Sequence, residues 1–371
     1  MQINTPALQT PDMARWVTNY SFVFVHGIAG WGSYDAHYRL LPYWGMFGGD
    51  LVRALRRQGF SVFAASVDPN GSAWDRACEL YAQLTGTRVD YGKAHSAANG
   101  HPRFGKDYTG RALVPAFDET HKLNLIGHSF GGITIRLFSH LLKYGSAEER
   151  SATPPHELSG LFTGGKEGRL HSLTALATPH NGTTAYCDVS GDEKRMGAPH
   201  ERLLTIIMET AARKKTNDRA DSDHAEHDMQ LDRAALLNKT LTVQDHLYYF
   251  SFPCCATLRD ADGVRRPVKT QTEPMFRATA TLIGSLRGTT ADGFSYGEEW
   301  FDNDGLVNTV SAKAPFGAPQ QDFAENDIPK GVWNVMPVTW GDHMALQGGM
   351  FRVRDVRPLF SEHLDRINRL P

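Results

Sequence analysis

Residues 123–133 read Leu-Asn-Leu-Ile-Gly-His-Ser-Phe-Gly-Gly-Ile, and the rest of the architecture follows from them. Leu123 to Ile126 is an apolar run of strand length. Ile133 to Lys143 carries apolar residues at helical spacing, with Gly145 just past its end as a stop. Between them stands Gly127-His128-Ser129-Phe130-Gly131, a G-x-S-x-G, and a strand before it with a helix after it is the context that pattern requires. The serine of such a motif sits on a strained strand-to-helix turn, where small residues two positions to either side let strand and helix approach. Ser129 is therefore expected to point out of the carboxyl edge of a sheet, with a helix N-terminus beneath it.

On either side of this turn the chain alternates strand and helix. Ser21-Phe-Val-Phe-Val25 is an almost unbroken apolar run ending at His26-Gly27, which predicts a strand buried on both faces. Leu51, Val52 and Leu55 lie at helical spacing and stop at Gly59. Phe60 to Val67 predicts a second strand, followed by a turn at Asp68-Pro69-Asn70-Gly71. Ser72 then caps a helix through Leu84, with Asp75 three residues on, where a capping box places an acid. Leu170 to Ala177, His246 to Phe252 and Val332 to Val338 are further strands. Such alternation predicts an α/β fold, a mainly parallel central sheet with helices on both faces. The 371 residues suit one large unit, 1–371, rather than two domains. There is no internal repeat, and the most linker-like stretch, Arg213 to Asp228, falls inside the fold.

Composition excludes some partners. Lys and Arg number 39 and Asp and Glu 41, a formal net charge of −2. A nucleic-acid partner calls for a clustered basic excess, which this balance lacks. No stretch approaches the ~20 apolar residues of a membrane span, so no transmembrane segment is expected. Met1 to Arg15 has no apolar core and predicts no signal peptide in this chain. Cys78, Cys187, Cys254 and Cys255 are too few for a disulfide scaffold at this length, and adjacent Cys254 and Cys255 seldom bridge each other because the geometry is strained. The thiols say little about redox compartment.

A serine hydroxyl is a poor nucleophile until a base takes its proton, so a histidine oriented by a carboxylate is needed. The chain order that goes with this turn is Ser, then Asp or Glu, then His. Asp302-Asn-Asp304-Gly305 and Gly341-Asp342-His343 supply candidates, and residue chemistry leaves Asp302 and Asp304 equal. A developing oxyanion needs two backbone N–H donors. Phe130 offers one, directly after Ser129, and Ile28, after the first strand, offers the other. Asp75, His95 and His101 form a second grouping whose donors suit zinc. Spacing alone also explains them as a first-turn helix residue and two polar loop residues.

Longer runs carry a resemblance. Among them are His26-Gly-Ile-Ala-Gly-Trp-Gly32, Tyr43-Trp-Gly45, Gly48-Gly-Asp50, Trp74-Asp-Arg-Ala-Cys-Glu-Leu-Tyr-Ala-Gln-Leu84, Val89-Asp-Tyr-Gly92, Ala177-Thr-Pro-His180, Asn303-Asp-Gly305 and Gly331-Val-Trp-Asn334. Over most of its length the chain resembles the secreted, zinc-containing lipases of thermophilic bacilli and staphylococci, a branch of the α/β-hydrolases. The resemblance implies a triacylglycerol lipase or carboxylesterase that works through an acyl-enzyme on Ser129, and it implies secretion. It picks Asp304 over Asp302 as the partner of His343. It also implies a zinc ion held by Asp75, His95, His101 and Asp223, the last chosen among the capable neighbours His224, His227 and Asp228. Four protein ligands close the tetrahedron, which makes such an ion structural rather than a source of hydroxide.

These ligands and a lid would place insertions at about 72–110 and about 185–232. His200 to Ala212 carries Leu203, Leu204, Ile206, Ile207 and Met208 on one side, a stripe that core packing can explain. The resemblance makes it a lid over an acyl cleft, working at a lipid–water interface. The polar stretch after it is shorter than in the relatives, which predicts an open cleft, a weaker demand for an interface, and acceptance of bulky or short-acyl esters, polyesters included. Relatives also hold calcium through a Glu two residues after the catalytic histidine and an Asp-Pro pair beyond it. Here Ala345 and Gly348-Gly-Met350 stand in those places, so the calcium site is expected to be absent or very weak. Two other readings share the residues: a non-catalytic lipid-binding protein on the same scaffold, and an acyltransferase that passes the acyl group to an alcohol. The filled catalytic positions disfavour the first, and nothing in the residues separates the second.

Overall fold

The first strand, β1 (Ser21–Val25), sends Val23 and Val25 into one core and Phe22 and Phe24 into another, all four fully buried. The structure, a computed structural model, describes residues 11–186, 220 and 222–371. Around β1 stand β2 (Val62–Ala65), β3 (Leu123–His128), β4 (Leu170–Leu176), β5 (Tyr248–Phe252), β6 (Gln320–Asp322) and β7 (Trp333–Val335). They line up as β6-β7-β5-β4-β3-β1-β2, and every adjacent pair runs parallel. Register sets Val25 and Ala175 on either side of Gly127, so β1, β3 and β4 end together at one edge.

Helices cover both faces: α1 (Leu51–Arg57), α2 (Ala73–Thr85), α3 (Phe130–Tyr144) and α4 (Arg357–Asn368). Alternate strand residues face opposite ways, as the pleat dictates. Val23, Val25, Leu123 and Leu125 pack with Leu80 of α2 and Phe138 of α3. Phe22, Phe24, Ile126 and Leu176 pack with Leu55 of α1 and with Phe360 and Leu364 of α4. Each such buried side chain contributes about 2 kcal/mol through burial, so the edge that carries Ser129 rests on two cores at once.

Three local readings change. The strand expected over Val332–Val338 is cut to Trp333–Val335, because Pro337 has no N–H to donate. Pro253 interrupts β5 in the same way, and pairing resumes past both prolines, between Cys254–Cys255 and Thr339–Trp340. β6 has no hydropathic signature, since Gln320-Gln-Asp322 is polar, as a sheet-edge strand can be. The end of the linker-like stretch is docked: Asp223 and Ala225 are buried, and Ala225 N–H donates to Asn70 O at 3.1 Å. Ser72 Oγ caps α2 by accepting from Asp75 N–H at 3.3 Å, and Asp228 Oδ2 accepts from Ala73 N–H at 2.8 Å. Cys78, Cys254 and Cys255 are free and buried, while Cys187 lies outside the described residues.

Candidate active site and metal cluster

Between β3 and α3, Ser129 takes a φ of +55°, a left-handed value that costs a non-glycine residue about 1–3 kcal/mol. Its N–H donates to Leu176 O at 2.8 Å, which ties the turn to the end of β4. A Cβ on Gly127 would lie 2.4 Å from the Gly131 carbonyl, and one on Gly131 would lie 2.3 Å from the Val25 carbonyl. Backbone meets backbone at both glycines, which is why the motif needs them. Ser129 occupies the N-cap of α3, yet its side chain makes no cap bond.

His343 and Asp304 meet twice. His343 Nδ1–H donates to Asp304 Oδ2 at 2.8 Å, and His343 N–H donates to Asp304 O at 2.8 Å. Asp304 Oδ1 accepts from Leu306 N–H at 3.0 Å and Val307 N–H at 2.8 Å. A carboxylate so engaged accepts only, which puts the imidazole proton on Nδ1 and leaves Nε2 as the basic nitrogen. Asp302, the other acid weighed in the sequence, is 43% exposed and pairs with Arg265 at 2.9 Å.

His128, the residue before Ser129, connects this pair to the turn that carries Ser129. Its ring centroid is 5.0 Å from that of His343, and its Nε2 is 2.8 Å from His343 O. Burial, with His343 close by, lowers its pKa to about 3, so the ring is neutral. A carbonyl only accepts, so the single proton is on Nε2 and Nδ1 is bare. The Tyr43 hydroxyl donates to that Nδ1 at 2.6 Å and accepts from Gly27 N–H at 3.3 Å.

Gly27 lies against the serine, for a Cβ built on it would be 3.3 Å from Ser129 Oγ. Ile28 follows in the same loop. Phe130 opens α3, and the first N–H groups of a helix lack an intrahelical acceptor. The carbonyl of the Gly27–Ile28 peptide accepts from His26 Nδ1 at 2.8 Å, Gly30 N–H at 3.3 Å and Arg76 Nη1 at 3.4 Å. Arg76, fully buried, also donates to Asp68 O and Thr134 Oγ1, each at 2.9 Å, and to the His26 carbonyl. The sequence reading gives no role to Tyr43, His128 or Arg76, although each stands inside a quoted run. Their partners lie 85, 215 and up to 58 residues away, beyond any local pattern.

Asp75, His95, His101 and Asp223 bring one donor atom each within 4.8 Å of one another. His95 Nε2 is 3.1 Å from Asp75 Oδ1 and 3.4 Å from Asp223 Oδ1, and His101 Nε2 is 3.2 Å from Asp223 Oδ2. His101 Nδ1 lies 3.0 Å from Pro102 O, where it donates, and this turns Nε2 toward the carboxylates. The buried Nε2 of His101 and both Asp223 oxygens make no hydrogen bond. Two carboxylates gathered in a largely enclosed place are costly, and a cation between them offsets the cost. Burial lowers the His95 pKa, but the attraction of the Asp223 and Asp75 carboxylates outweighs it and raises the value to about 9. Two carboxylates and two imidazoles are a donor set that fits a divalent metal such as zinc. Among the described residues the cluster draws on Asp223 and not on His224, His227 or Asp228.

Leu203, Leu204, Ile206, Ile207 and Met208, expected on a lid helix, lie outside the described residues. Past His343, Ala345 is buried, and Met350 N–H and Arg352 N–H donate to Glu273 Oε1 at 3.1 Å and 2.7 Å.

Comparison with known proteins gives this geometry a context. The family model described as "Lipase-like, C-terminal domain" matches residues 18–198 and 198–357. Lipase 2 of Staphylococcus aureus is 33% identical over 365 residues, covering 90% of this chain and 51% of that protein. The lipase of Staphylococcus epidermidis is 31% identical over 363 residues, with 90% and 51% covered. The chain thus spans about half the length of the curated relatives it matches. Among solved structures, EstA from Clostridium botulinum is similar with a TM-score of 0.85 at 28% identity, covering 100% of this chain and 93% of that one. Staphylococcus hyicus lipase is similar with a TM-score of 0.79 at 28% identity, covering 97% and 98%. With a family match over most of the sequence and a structural match over nearly all of it, the chain belongs to the lipase-like family, with the fold of the α/β-hydrolases.

Proposed function

We propose that the chain is a serine carboxylester hydrolase, a lipase or esterase that cleaves lipid or related esters through an acyl-enzyme on Ser129. The observation that carries this reading is the double hold on His343, with Asp304 on its Nδ1 and the residue before Ser129 on its carbonyl. His343 Nε2 takes the proton of Ser129 as Oγ bonds to the ester carbonyl carbon. The carbonyl oxygen becomes an alkoxide, met by the N–H groups of Ile28 and Phe130. As the adduct collapses, the bond to the alcohol oxygen breaks and His343 hands that oxygen the proton. Water, deprotonated at the same nitrogen, attacks the acyl carbon, and Ser129 takes the proton back as the acid departs. Asp304 keeps its charge throughout, holding the tautomer and balancing the imidazolium.

Asp75, His95, His101 and Asp223 would hold a zinc ion, which supplies a cross-link between α2 and the segments packed on it rather than reactive chemistry. We further read the substrate as a bulky or short-acyl ester, polyesters among them, from the short polar run between residues 203–208 and Asp223. No helix among the described residues is long and apolar enough to cross a membrane. Secretion rests on the resemblance.

Replacing Ser129 by Ala is expected to abolish p-nitrophenyl ester hydrolysis and labelling by a fluorophosphonate, with metal content unchanged. Turnover surviving in that variant refutes the nucleophile. Activity on long-chain triglyceride emulsions far above that on soluble short-chain esters removes the open-cleft reading.

A further inference from the structure

Ser129 and His343 arrive on separate loops, and acyl transfer needs them in register. Asp304 cannot supply that register, because the bonds of its carboxylate end on His343 and on its own neighbours Leu306 and Val307. The tether to the nucleophile turn runs through His128 to the carbonyl of His343. We propose that Tyr43 and His128 are positioning residues for the ester hydrolysis proposed above, holding the oxyanion loop, the nucleophile turn and the base as one hydrogen-bonded unit. This inference rests on that reading of the site.

Direction is forced at every link. Gly27 N–H has only a proton to give, so the Tyr43 oxygen accepts there and spends its own proton on His128 Nδ1. The opposite ring nitrogen then donates to the His343 carbonyl. Both side chains are buried, and the Trp44 ring packs edge-on against His128 at 6.2 Å, so the imidazole has little room to turn. His128 is not a second base: both ring nitrogens are engaged, and the ring stays neutral well below the pH at which an esterase works. What the relay fixes is distance. A reacting atom misplaced by about 1 Å costs roughly a hundredfold in rate.

The test compares Tyr43→Phe, His128→Leu and His128→Gln in the full chain, with p-nitrophenyl butyrate as substrate and a fluorophosphonate as covalent probe. His128→Leu is expected to lower kcat about a hundredfold and Tyr43→Phe about tenfold, with KM within about twofold. Fluorophosphonate inactivation should slow in parallel, since it needs the same activated oxygen. A glutamine amide can still reach the His343 carbonyl, so His128→Gln should recover at least about tenfold over His128→Leu. A structural role alone would not produce that rescue at equal melting temperature. Kcat and inactivation within about twofold of the unmodified protein in both Tyr43→Phe and His128→Leu overturn the inference, as does a glutamine variant no better than leucine. Should His128→Leu not fold, Tyr43→Phe, which removes one oxygen, decides alone. An unmodified protein that the fluorophosphonate leaves unlabelled brings down the serine-hydrolase reading and the positioning role together.

Discussion

Two groups of imidazole and carboxylate stand among the described residues, and they are arranged to different ends. In both, a histidine donates from Nδ1 to an oxygen and turns Nε2 away from it: His343 to Asp304 at 2.8 Å, His101 to Pro102 O at 3.0 Å. What faces Nε2 differs. At His343 it is, in the mechanism proposed here, a hydroxyl with a proton to surrender. At His101 it is a carboxylate oxygen 3.2 Å away, which has none. The first arrangement can move a proton, and the second is suited to hold a cation. Residue type is the same in the two places, so function lies in the partner of the second ring nitrogen.

The largest effects separate the two by their readouts. Asp304→Asn turns the acceptor on His343 Nδ1 into a group that also donates, so the imidazole loses its tautomer. A fall of roughly 10⁴-fold in kcat is expected, with little change in melting temperature. Asp302→Asn, at a half-buried acid paired with Arg265, should stay close to unmodified turnover. A steady-state comparison of these two variants on one soluble ester settles the choice between the acids. Equal losses in both would mean that His343 is not oriented as described.

At the candidate metal cluster the expectation is reversed. His101→Ala or Asp223→Ala leaves buried charge unbalanced, at a cost of about 3–5 kcal/mol, which lowers the melting temperature by roughly 5 °C in a chain of this size. Chelation of the purified protein should do the same, because binding energy in a closed site is folding energy. Turnover measured well below that melting temperature should persist. A chelated protein that melts unchanged, or elemental analysis that finds no bound metal, removes the cation from the comparison.

Much of this was legible in the sequence where the determinants are local. The strand-turn-helix around Ser129 is written in eleven consecutive residues, and the two glycines are fixed by backbone approaches of 2.4 Å and 2.3 Å that any such turn would share. Strand Gln320–Asp322 was illegible because an edge strand carries no apolar stripe. The Tyr43–His128–His343 relay was illegible for another reason. Its hydrogen bonds span 85 and 215 residues, and a histidine inside a G-x-S-x-G gives no sign of what it will meet. Resemblance named Asp223 as the fourth donor, while residue chemistry left His224, His227 and Asp228 open. Asp228 is occupied as a helix cap on Ala73, a role that only the fold assigns.

A third imidazole sharpens the contrast by the smallest effect. His171 is buried with no metal and no catalytic partner, its Nδ1 3.0 Å from Asn124 Oδ1. Burial lowers its pKa from 6.5 to about 4. As pH falls below 6.5 the unfolded chain takes up a proton that the folded chain refuses. The stability contributed is therefore complete above pH 6.5 and is lost progressively toward pH 4, at up to about 1.4 kcal/mol per pH unit. Asp342 has the opposite sign in part of the same window, since burial raises its pKa to about 6 and its contribution is lost as pH rises through that value. The unmodified protein shows only the difference of such terms, but His171→Gln isolates one. Denaturant titrations at pH 6 and pH 4.5 should give a shallower loss of stability in the variant, by about one proton. An unchanged slope would mean that the folded protein protonates His171 freely. The buried neutral imidazole would then cease to be the baseline from which the proposed base at residue 343 and the proposed ligand at residue 101 depart.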